Sequence, residues 1–304
     1  MDKRYIVGID VGGTNVKYGL FLRDGNLLEK WEVATDIPRP DEIFNYIVKS
    51  LVSKLADRGV RVEELLGIGI GMPGPVREFR EVNGCVNLGL GVVDVASEMK
   101  EALNLDLPVY VENDANLAAL GEANSGTGEG YESVYVLTLG TGVGGGFVSE
   151  GKIVSGKHMV AGEVGHIIVN PNGETKCTCG NSGCLETYGS ATGIVNMAKG
   201  KMGVTTAKEI FELAKNSDTT ALEVVEEYAN YLGIALSTIA CVVDPEVFII
   251  GGGVSNAGDF LIHKIKAYYK KYAFSDSKFK DIKCASLKND AGIIGCFNLV
   301  LNFL

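Results

Sequence analysis

No apolar run in this sequence approaches the ~20 residues that a helix needs to cross a membrane, and its first residues lack the apolar region of a signal peptide. Basic residues are also too few for a nucleic-acid-binding surface, since 28 Lys and Arg stand against 38 Asp and Glu, a net charge of −10. We therefore expect a cytoplasmic protein that binds neither nucleic acid nor membrane. Phosphorylated ligands remain compatible with this acidity, because backbone N–H groups and a metal ion can hold phosphate without Lys or Arg.

Proline is scarce, with 7 residues, and no low-complexity tract or collagen period is present, so a disordered or fibrous protein is excluded. Disulfides are not expected either, because the 7 cysteines are odd in number and four of them are isolated. Glycine is abundant, at 40 of 304 residues against the ~7% of an average protein. This excess requires a local explanation.

Strands and helices alternate along the chain, which is typical of an α/β fold. A strand at residues 5–9, a Gly-rich turn and a strand at residues 16–22 open the chain, and the same order recurs from residue 134 to residue 148. Apolar spacing predicts helices at residues 41–58, 93–103, 208–215, 220–243 and 259–272. The recurrence predicts two related lobes: residues 1–115, joined by a C-terminal helix at 289–304, and residues 116–288.

Residues 10–15 (DVGGTN) form a Gly-rich turn between the first two strands. Its N–H groups can surround phosphate oxygens, and Asp10 can hold Mg²⁺ through water. Taken alone, an ordinary tight turn explains this segment better. Residues 138–142 make a second such hairpin, however, and residues 249–253 end a strand in open backbone where adenine can approach. Three glycine sites on two lobes favour a nucleotide.

Two other glycine patterns fit the dinucleotide-binding fingerprint only as bare spacings. At residues 140–145 the chain continues as a strand where the fingerprint needs a helix, and Pro73 and Pro75 interrupt the match at residues 69–74. The sequence therefore argues against an NAD-dependent oxidoreductase.

Residues 112–116 (ENDAN) follow a predicted strand and precede a predicted helix. A carboxylate at the C-terminal end of a strand lies where open α/β sheets place their ligands. Asp114 can therefore accept the proton of a substrate hydroxyl. A helix N-cap explains Asp114 at least as well on local sequence alone.

Three cysteines and one histidine have the spacing of a structural zinc site. Three thiolates and one imidazole make a closed tetrahedral set that leaves no position for water. Buried free cysteines are the weaker explanation, because residues 175–182 are polar. Such a site brings Glu163 and Glu186 close together, where they can accept hydrogen bonds from sugar hydroxyls; solvated loop charge is the alternative. The predicted metal ligands are His166, Cys177, Cys179 and Cys184.

Together these segments resemble the ROK family of sugar kinases and repressors, within the actin-like ATPase superfamily. The resemblance implies an α/β fold of two actin-like ATPase (ribonuclease H-like) lobes with a cleft between them and a zinc-knot loop. The motifs that carry it span the chain: residues 10–15, GMPG at 71–74, residues 112–116, LGTG at 139–142, GEVGH at 162–166, the cysteine segment 177–186, and IGGG at 250–253.

The resemblance also implies site residues and ligands. Asp114 is the implied catalytic base, and zinc, Mg²⁺ and ATP are the implied cofactors. The residues implied to contact the sugar are Asn87, Asn113, Asp114, Glu163, His166 and Glu186. Those implied to contact ATP and Mg²⁺ are Asp10, Gly12, Gly13, Thr14, Thr141, Gly142, Gly252 and Gly253.

The implied reaction is ATP-dependent phosphorylation of a hexose at its 6-hydroxyl, with glucose as the first choice. Residues 111–122 and 185–193 look more like bacterial glucokinases than like N-acetylhexosamine kinases. An N-acetylmannosamine, N-acetylglucosamine or fructose kinase and a non-catalytic sugar-sensing regulator stay open. A DNA-binding repressor is not expected, because the first strand is not preceded by the helix-turn-helix that the family's repressors carry. The family implies a homodimer.

Overall fold

The computed structural model describes residues 3–35, 40–85 and 88–304, which form two compact units. Unit 1 comprises Met1–Ser125, Ser155–Val160 and Asn289–Leu304, and unit 2 comprises Gly126–Val154 and Ala161–Lys288. The first boundary between the units follows Ser125, at the end of a helix, whereas the sequence predicted a boundary after residue 115. Each unit has its own apolar core.

The described strands of unit 1 are β1 (Tyr5–Val11), β2 (Asn15–Leu22), β3 (Leu27–Ala34), β4 (Leu65–Met72), β5 (Val76–Arg77), β6 (Glu81–Cys85), β7 (Leu90–Asp94) and β8 (Val109–Asn113). Five of them form the main sheet, in the order β3-β2-β1-β4-β8. The pairs β1–β2 and β2–β3 are antiparallel, and the pairs β1–β4 and β4–β8 are parallel. A separate antiparallel sheet contains β5, β6 and β7.

The helices of unit 1 cover its main sheet. Helix α1 (Ile43–Asp57) buries Ile43, Ile47, Leu51 and Leu55, the every-fourth-residue pattern that predicted it. Helices α2 (Val95–Leu103) and α3 (Asp114–Ser125) follow in the chain, and α9 (Ala291–Leu301) returns from the C-terminus to pack on β1, β4 and α3.

The strands and helices of unit 2 are β9 (Ser133–Leu139), β10 (Val143–Ser149), β11 (Lys152–Ile153), β12 (Val247–Gly251), β13 (Asp281–Cys284), α4 (Leu185–Gly189), α5 (Ala191–Ala198), α6 (Ala207–Lys215), α7 (Thr219–Val243) and α8 (Asp259–Tyr272). Its sheet repeats the arrangement of unit 1, with the strand order β11-β10-β9-β12-β13. Strand β9 pairs antiparallel with β10 and parallel with β12. The predicted α/β fold is thus confirmed, and the main sheets of both units share one topology.

Among the described residues, every helix is either too short or too polar to cross a lipid bilayer.

Glycines allow α9 to lie directly on the sheet of unit 1. A Cβ on Gly8 in β1 would collide with the carbonyl oxygen of Ile293, and one on Gly69 in β4 would collide with that of Cys296. A glycine inside a strand often marks such a close backbone approach. Part of the glycine excess therefore serves packing rather than ligand turns.

We expect Gly69→Ala to lower the free energy of unfolding by roughly 1–3 kcal/mol, because the added methyl group overpacks the contact with α9. Gly91→Ala in β7 is the matched control, since a Cβ there meets no atom within 4 Å. Denaturant unfolding of both variants measures the difference. Equal stabilities would contradict the role of Gly69 in helix packing.

Candidate functional site

The carboxyl ends of three parallel strands bring the candidate residues of unit 1 to one edge of its sheet. In the strand register Asp10 lies opposite Gly71, Gly71 lies opposite Glu112, and Met72 lies opposite Asn113. Open α/β sheets bind ligands at this edge. Asp10 and the Asn113–Asp114 step are therefore neighbours on it.

Asp10 is tightly packed at the end of β1. A Cβ on Gly71 would lie 3.4 Å from its Oδ1, and a Cβ on Gly292 would lie 2.7 Å from its Oδ2. Burial raises the pKa of the Asp10 carboxyl, and the charge of Lys17 opposes the shift. A buried carboxylate of this kind gains from a nearby cation, which favours its ionised form.

The first Gly-rich turn uses part of its own backbone to close. The N–H of Gly12 donates to the carbonyl of Asn15 at 3.0 Å, and Thr35 donates its hydroxyl to the Gly12 carbonyl at 2.8 Å and its N–H to the Thr14 carbonyl at 2.7 Å. Gly13 and Thr14 are exposed at the tip. The N–H of Gly12 is therefore used within the turn, whereas Gly13 and Thr14 are open to solvent.

Asn113, and not Asp114, caps helix α3. Its Oδ1 accepts the N–H groups of Ala115 at 2.9 Å and Asn116 at 3.2 Å, and its Nδ2 donates to the carbonyl of Gly74 at 3.2 Å. Asp114 is the half-buried first residue of the helix and accepts the Ala115 N–H at 2.8 Å. Asn113 thus performs the capping that was the alternative role for Asp114. The partial positive charge of the helix N-terminus favours a carboxylate at Asp114.

The four predicted metal ligands of unit 2 converge. Their ligand atoms lie within 4.8 Å of one another, with 3.6 Å between Nδ1 of His166 and Sγ of Cys177 and 3.6 Å between the sulfurs of Cys179 and Cys184. Zn–S bonds of ~2.3 Å in a tetrahedron place sulfurs ~3.8 Å apart. The cluster therefore fits zinc.

Burial, together with hydrogen bonds to the neighbouring thiols, raises the pKa of Cys184 to about 12. The thiolate form of this residue is therefore unfavourable without a nearby cation. A bound zinc ion would supply that stabilisation, because zinc binds thiolates.

Glu163 and Glu186 lie beside the cluster of His166 and the three cysteines, where the sequence predicted them. Oε2 of Glu163 is 4.0 Å from Nε2 of His166, the ring nitrogen not directed at the cysteines. Oε2 of Glu186 accepts the N–H of Val143 at 3.2 Å, and Oε1 accepts the hydroxyl of Thr178 at 3.4 Å. Glu186 thus joins the cysteine loop to the second Gly-rich hairpin.

The second hairpin borders a cavity of about 590 Å³ within unit 2. Its turn is closed by the Gly140 N–H, which donates to the Gly142 carbonyl at 3.0 Å. Gly253 lines the cavity, whereas Gly252 packs against the backbone of Leu139 with φ +77° and leaves no room for a Cβ. The cavity is lined by Gly140, Thr141, Ala191, Ala207, Lys208, Phe211, Glu212, Lys215, Gly253, Val254, Asn256 and Ala257.

Sequence reasoning missed the contribution of α6 to this cavity. Lys208, Glu212 and Lys215 recur at helical spacing, so the sequence could have predicted that they share one face of a helix. No local pattern indicates that this face lies beside the Gly-rich hairpin. It also missed the buried Glu112. Asn87, a predicted sugar ligand, lies outside the described residues.

A family model described as the ROK family matches residues 6–302 of the chain. A glucokinase of Halalkalibacterium halodurans is 40% identical over 313 aligned positions, which cover 97% of this chain and 94% of that protein. A ROK family glucokinase from Streptomyces griseus, solved in complex with glucose and AMPPNP, aligns with a TM-score of 0.80 and 32% identity over 98% of this chain and 99% of that chain. The ROK hexokinase of Thermus thermophilus aligns with a TM-score of 0.84 and 31% identity over the same shares.

These matches extend over almost the whole chain, as do the motifs that suggested the relationship, and the chain belongs to the ROK family.

Proposed function

We propose that this chain is an ATP-dependent hexose kinase that converts glucose to glucose 6-phosphate. The carboxylate of Asp114 carries the proposal, because it lies at the ligand-binding edge of the sheet while Asn113 takes over the capping of α3. The similarity to glucokinases over nearly the full length supports the choice of sugar. A non-catalytic sugar sensor has no need of this carboxylate.

In the proposed reaction Asp114 accepts the proton of the sugar 6-hydroxyl, and the hydroxyl oxygen attacks the γ-phosphorus of ATP in line. The bond from the γ-phosphorus to the β–γ bridging oxygen breaks, and ADP leaves. Phosphoryl transfer depends mainly on positioning and charge neutralisation. A carboxylate base adds ~10²–10⁴ in rate. We assign recognition of the other hydroxyls to Asn113, Glu163, His166 and Glu186, with Asn87 as a further candidate.

We assign the adenosine part of ATP to the cavity of unit 2. Its volume of about 590 Å³ is within the ~300–1,000 Å³ typical of small-molecule sites. Thr141 and Gly142 would face the phosphates, and Gly253 the adenosine. On the α6 side the two lysines Lys208 and Lys215 outnumber Glu212, and the net positive charge suits a polyanionic ligand.

Two metal ions complete the proposal. Mg²⁺ would neutralise phosphate charge, and Asp10 is the carboxylate that would hold it through water, with Gly13 and Thr14 as backbone and hydroxyl donors to phosphate. Zn²⁺ would be structural, held by His166 and the three cysteines. By leaving Nε2 of His166 available as a donor, the metal would orient this ring toward a sugar hydroxyl.

The proposed use of ATP and the reduced thiols of the metal cluster favour a cytoplasmic enzyme. The family resemblance supports a homodimer, which we include in the proposal.

Replacing Asp114 with Asn tests the proposed base. Asn keeps the size of the side chain and its bond to the Ala115 N–H but cannot accept a proton. We expect kcat to fall by about 10²–10⁴, while glucose affinity by calorimetry changes only severalfold. Asp106→Asn, which alters an exposed ion pair with Lys100, should leave both values unchanged. A kcat close to that of the wild type in Asp114→Asn would contradict the assignment of Asp114 as the base.

Filling the cavity tests the nucleotide site. A Cβ on Gly253 meets no atom within 4 Å, so Gly253→Leu should fold normally while its side chain enters the cavity. We expect KM for ATP to rise about tenfold or more, with KM for glucose little changed, since a few lost contacts are worth roughly 1–3 kcal/mol.

Gly203→Leu is the matched control, because Gly203 also has open space around its Cβ position and does not line the cavity. Unchanged ATP kinetics in Gly253→Leu would place the nucleotide elsewhere.

Removing one cysteine tests the zinc site. Metal analysis of the purified protein should find about one zinc per chain, and Cys179→Ala should reduce it to near zero, because three ligands bind zinc far more weakly than a closed set of four. Cys241→Ala, at an exposed cysteine on α7, should keep its zinc. Wild-type protein that contains no zinc when freshly purified would refute this site.

A further inference from the structure

Glu112, the residue before Asn113 in β8, is a carboxylate that the reaction as described does not use. It is only 2% exposed, although it belongs to a residue type that is rarely fully buried. Its burial raises the pKa of the carboxyl, and its hydrogen bonds oppose the shift. A buried group of this kind is tolerated only where hydrogen bonds satisfy it.

The hydrogen bonds of Glu112 connect three parts of unit 1. Its Oε1 accepts the N–H of Asn113 at 2.8 Å and the Nδ2 of Asn116 at 3.1 Å. Its Oε2 accepts the hydroxyl of Ser155 at 3.4 Å. One carboxylate thus contacts the end of β8, the first turn of α3 and the segment Ser155–Val160.

Two of these contacts lie on either side of Asp114. The N–H of Asn113 belongs to the residue just before Asp114, in the peptide that joins it to Glu112, and Asn116 lies two residues after Asp114 on α3. Asn113 in turn caps the helix through its Oδ1. The position of the Asp114 side chain therefore depends on groups that Glu112 holds from both sides.

The third contact is made by Ser155, the first residue of the segment Ser155–Val160. Residues 155–160 belong to unit 1 and lie close in sequence to Glu163 and His166, both assigned to sugar recognition. A hydrogen bond to Ser155 therefore anchors the start of the stretch that leads to those residues.

Filling space would not require a carboxylate at this position. An apolar residue of similar volume would fill the same space, and the neighbouring residues of β8, Val109 and Val111, are apolar and buried. A methionine side chain would fill this space but would offer no acceptor to the Asn113 N–H or the Asn116 amide.

We propose that Glu112 is a positioning residue for phosphoryl transfer, whose buried carboxylate fixes the Asn113–Asp114 step and ties it to the segment Ser155–Val160. This inference rests on the proposed function, in which Asp114 is the base. Since a misplacement of ~1 Å at a reacting group can lower the rate by ~10², loss of these bonds should appear mainly in kcat.

Three variants separate positioning from folding. Glu112→Gln keeps an oxygen acceptor for Asn113 and Asn116 and offers an N–H to Ser155, so we expect kcat within about threefold of wild type. Glu112→Met keeps the volume and removes the acceptors, and we expect kcat to fall about 10- to 100-fold with KM for ATP within about twofold. Glu112→Asp keeps the charge but shortens the reach, with an expected fall of about tenfold in kcat.

Kinetics with glucose and ATP, run beside circular dichroism and thermal melting, decide the outcome. A folded Glu112→Met with wild-type kcat would overturn the proposal, as would a loss in Glu112→Gln as large as in Glu112→Met. If Glu112→Met does not fold, the kcat of Glu112→Asp tests the proposal instead. A wild-type kcat in Glu112→Asp would then overturn it. Failure of the proposed function is distinguishable, because wild-type protein would then phosphorylate no hexose.

Discussion

The parallel pairing of β1, β4 and β8 is the constraint on which the candidate site of unit 1 depends. Because the three strands run in the same direction and end at the same edge, the register sets Asp10, Gly71 and Glu112 side by side. The Gly-rich hairpin and the Asn113–Asp114 step leave the sheet there together. Unit 2 uses the same device, since Gly251 of β12 lies opposite Thr138 of β9, and the strand ends lead to the cavity.

Glycine serves two purposes in this architecture. At positions such as Gly253 it leaves open space in which a ligand can approach the backbone. At Gly8 and Gly69 it removes the side chain between the sheet and α9, so that helix and strand backbones touch. The composition alone does not separate these uses, because both require the absence of a Cβ and only the packing partner differs.

The sequence predicted those features whose determinants are local. The convergence of one histidine and three cysteines was predicted from ligand chemistry and spacing alone, and α8 has the bounds 259–272 that its apolar pattern predicted. The strand β13 and the short helices α4 and α5 were missed, because four to eight residues carry too little periodicity.

Long-range contacts explain what the sequence left undecided at the site. Whether Asn113 or Asp114 caps α3 depends on the carbonyl of Gly74, which holds the Asn113 amide from 39 residues away. The role of Glu112 depends on Ser155, which is 43 residues distant. Such partners become visible only when the fold places them together.

The most direct test of the central claim is an assay of ATP consumption by the purified protein with glucose, mannose, fructose, N-acetylglucosamine and N-acetylmannosamine, with the product identified by ³¹P and ¹³C NMR. The account predicts that kcat/KM is highest for glucose and that the phosphate is on the 6-oxygen. No phosphorylation of any of these sugars by folded, zinc-containing protein would contradict it.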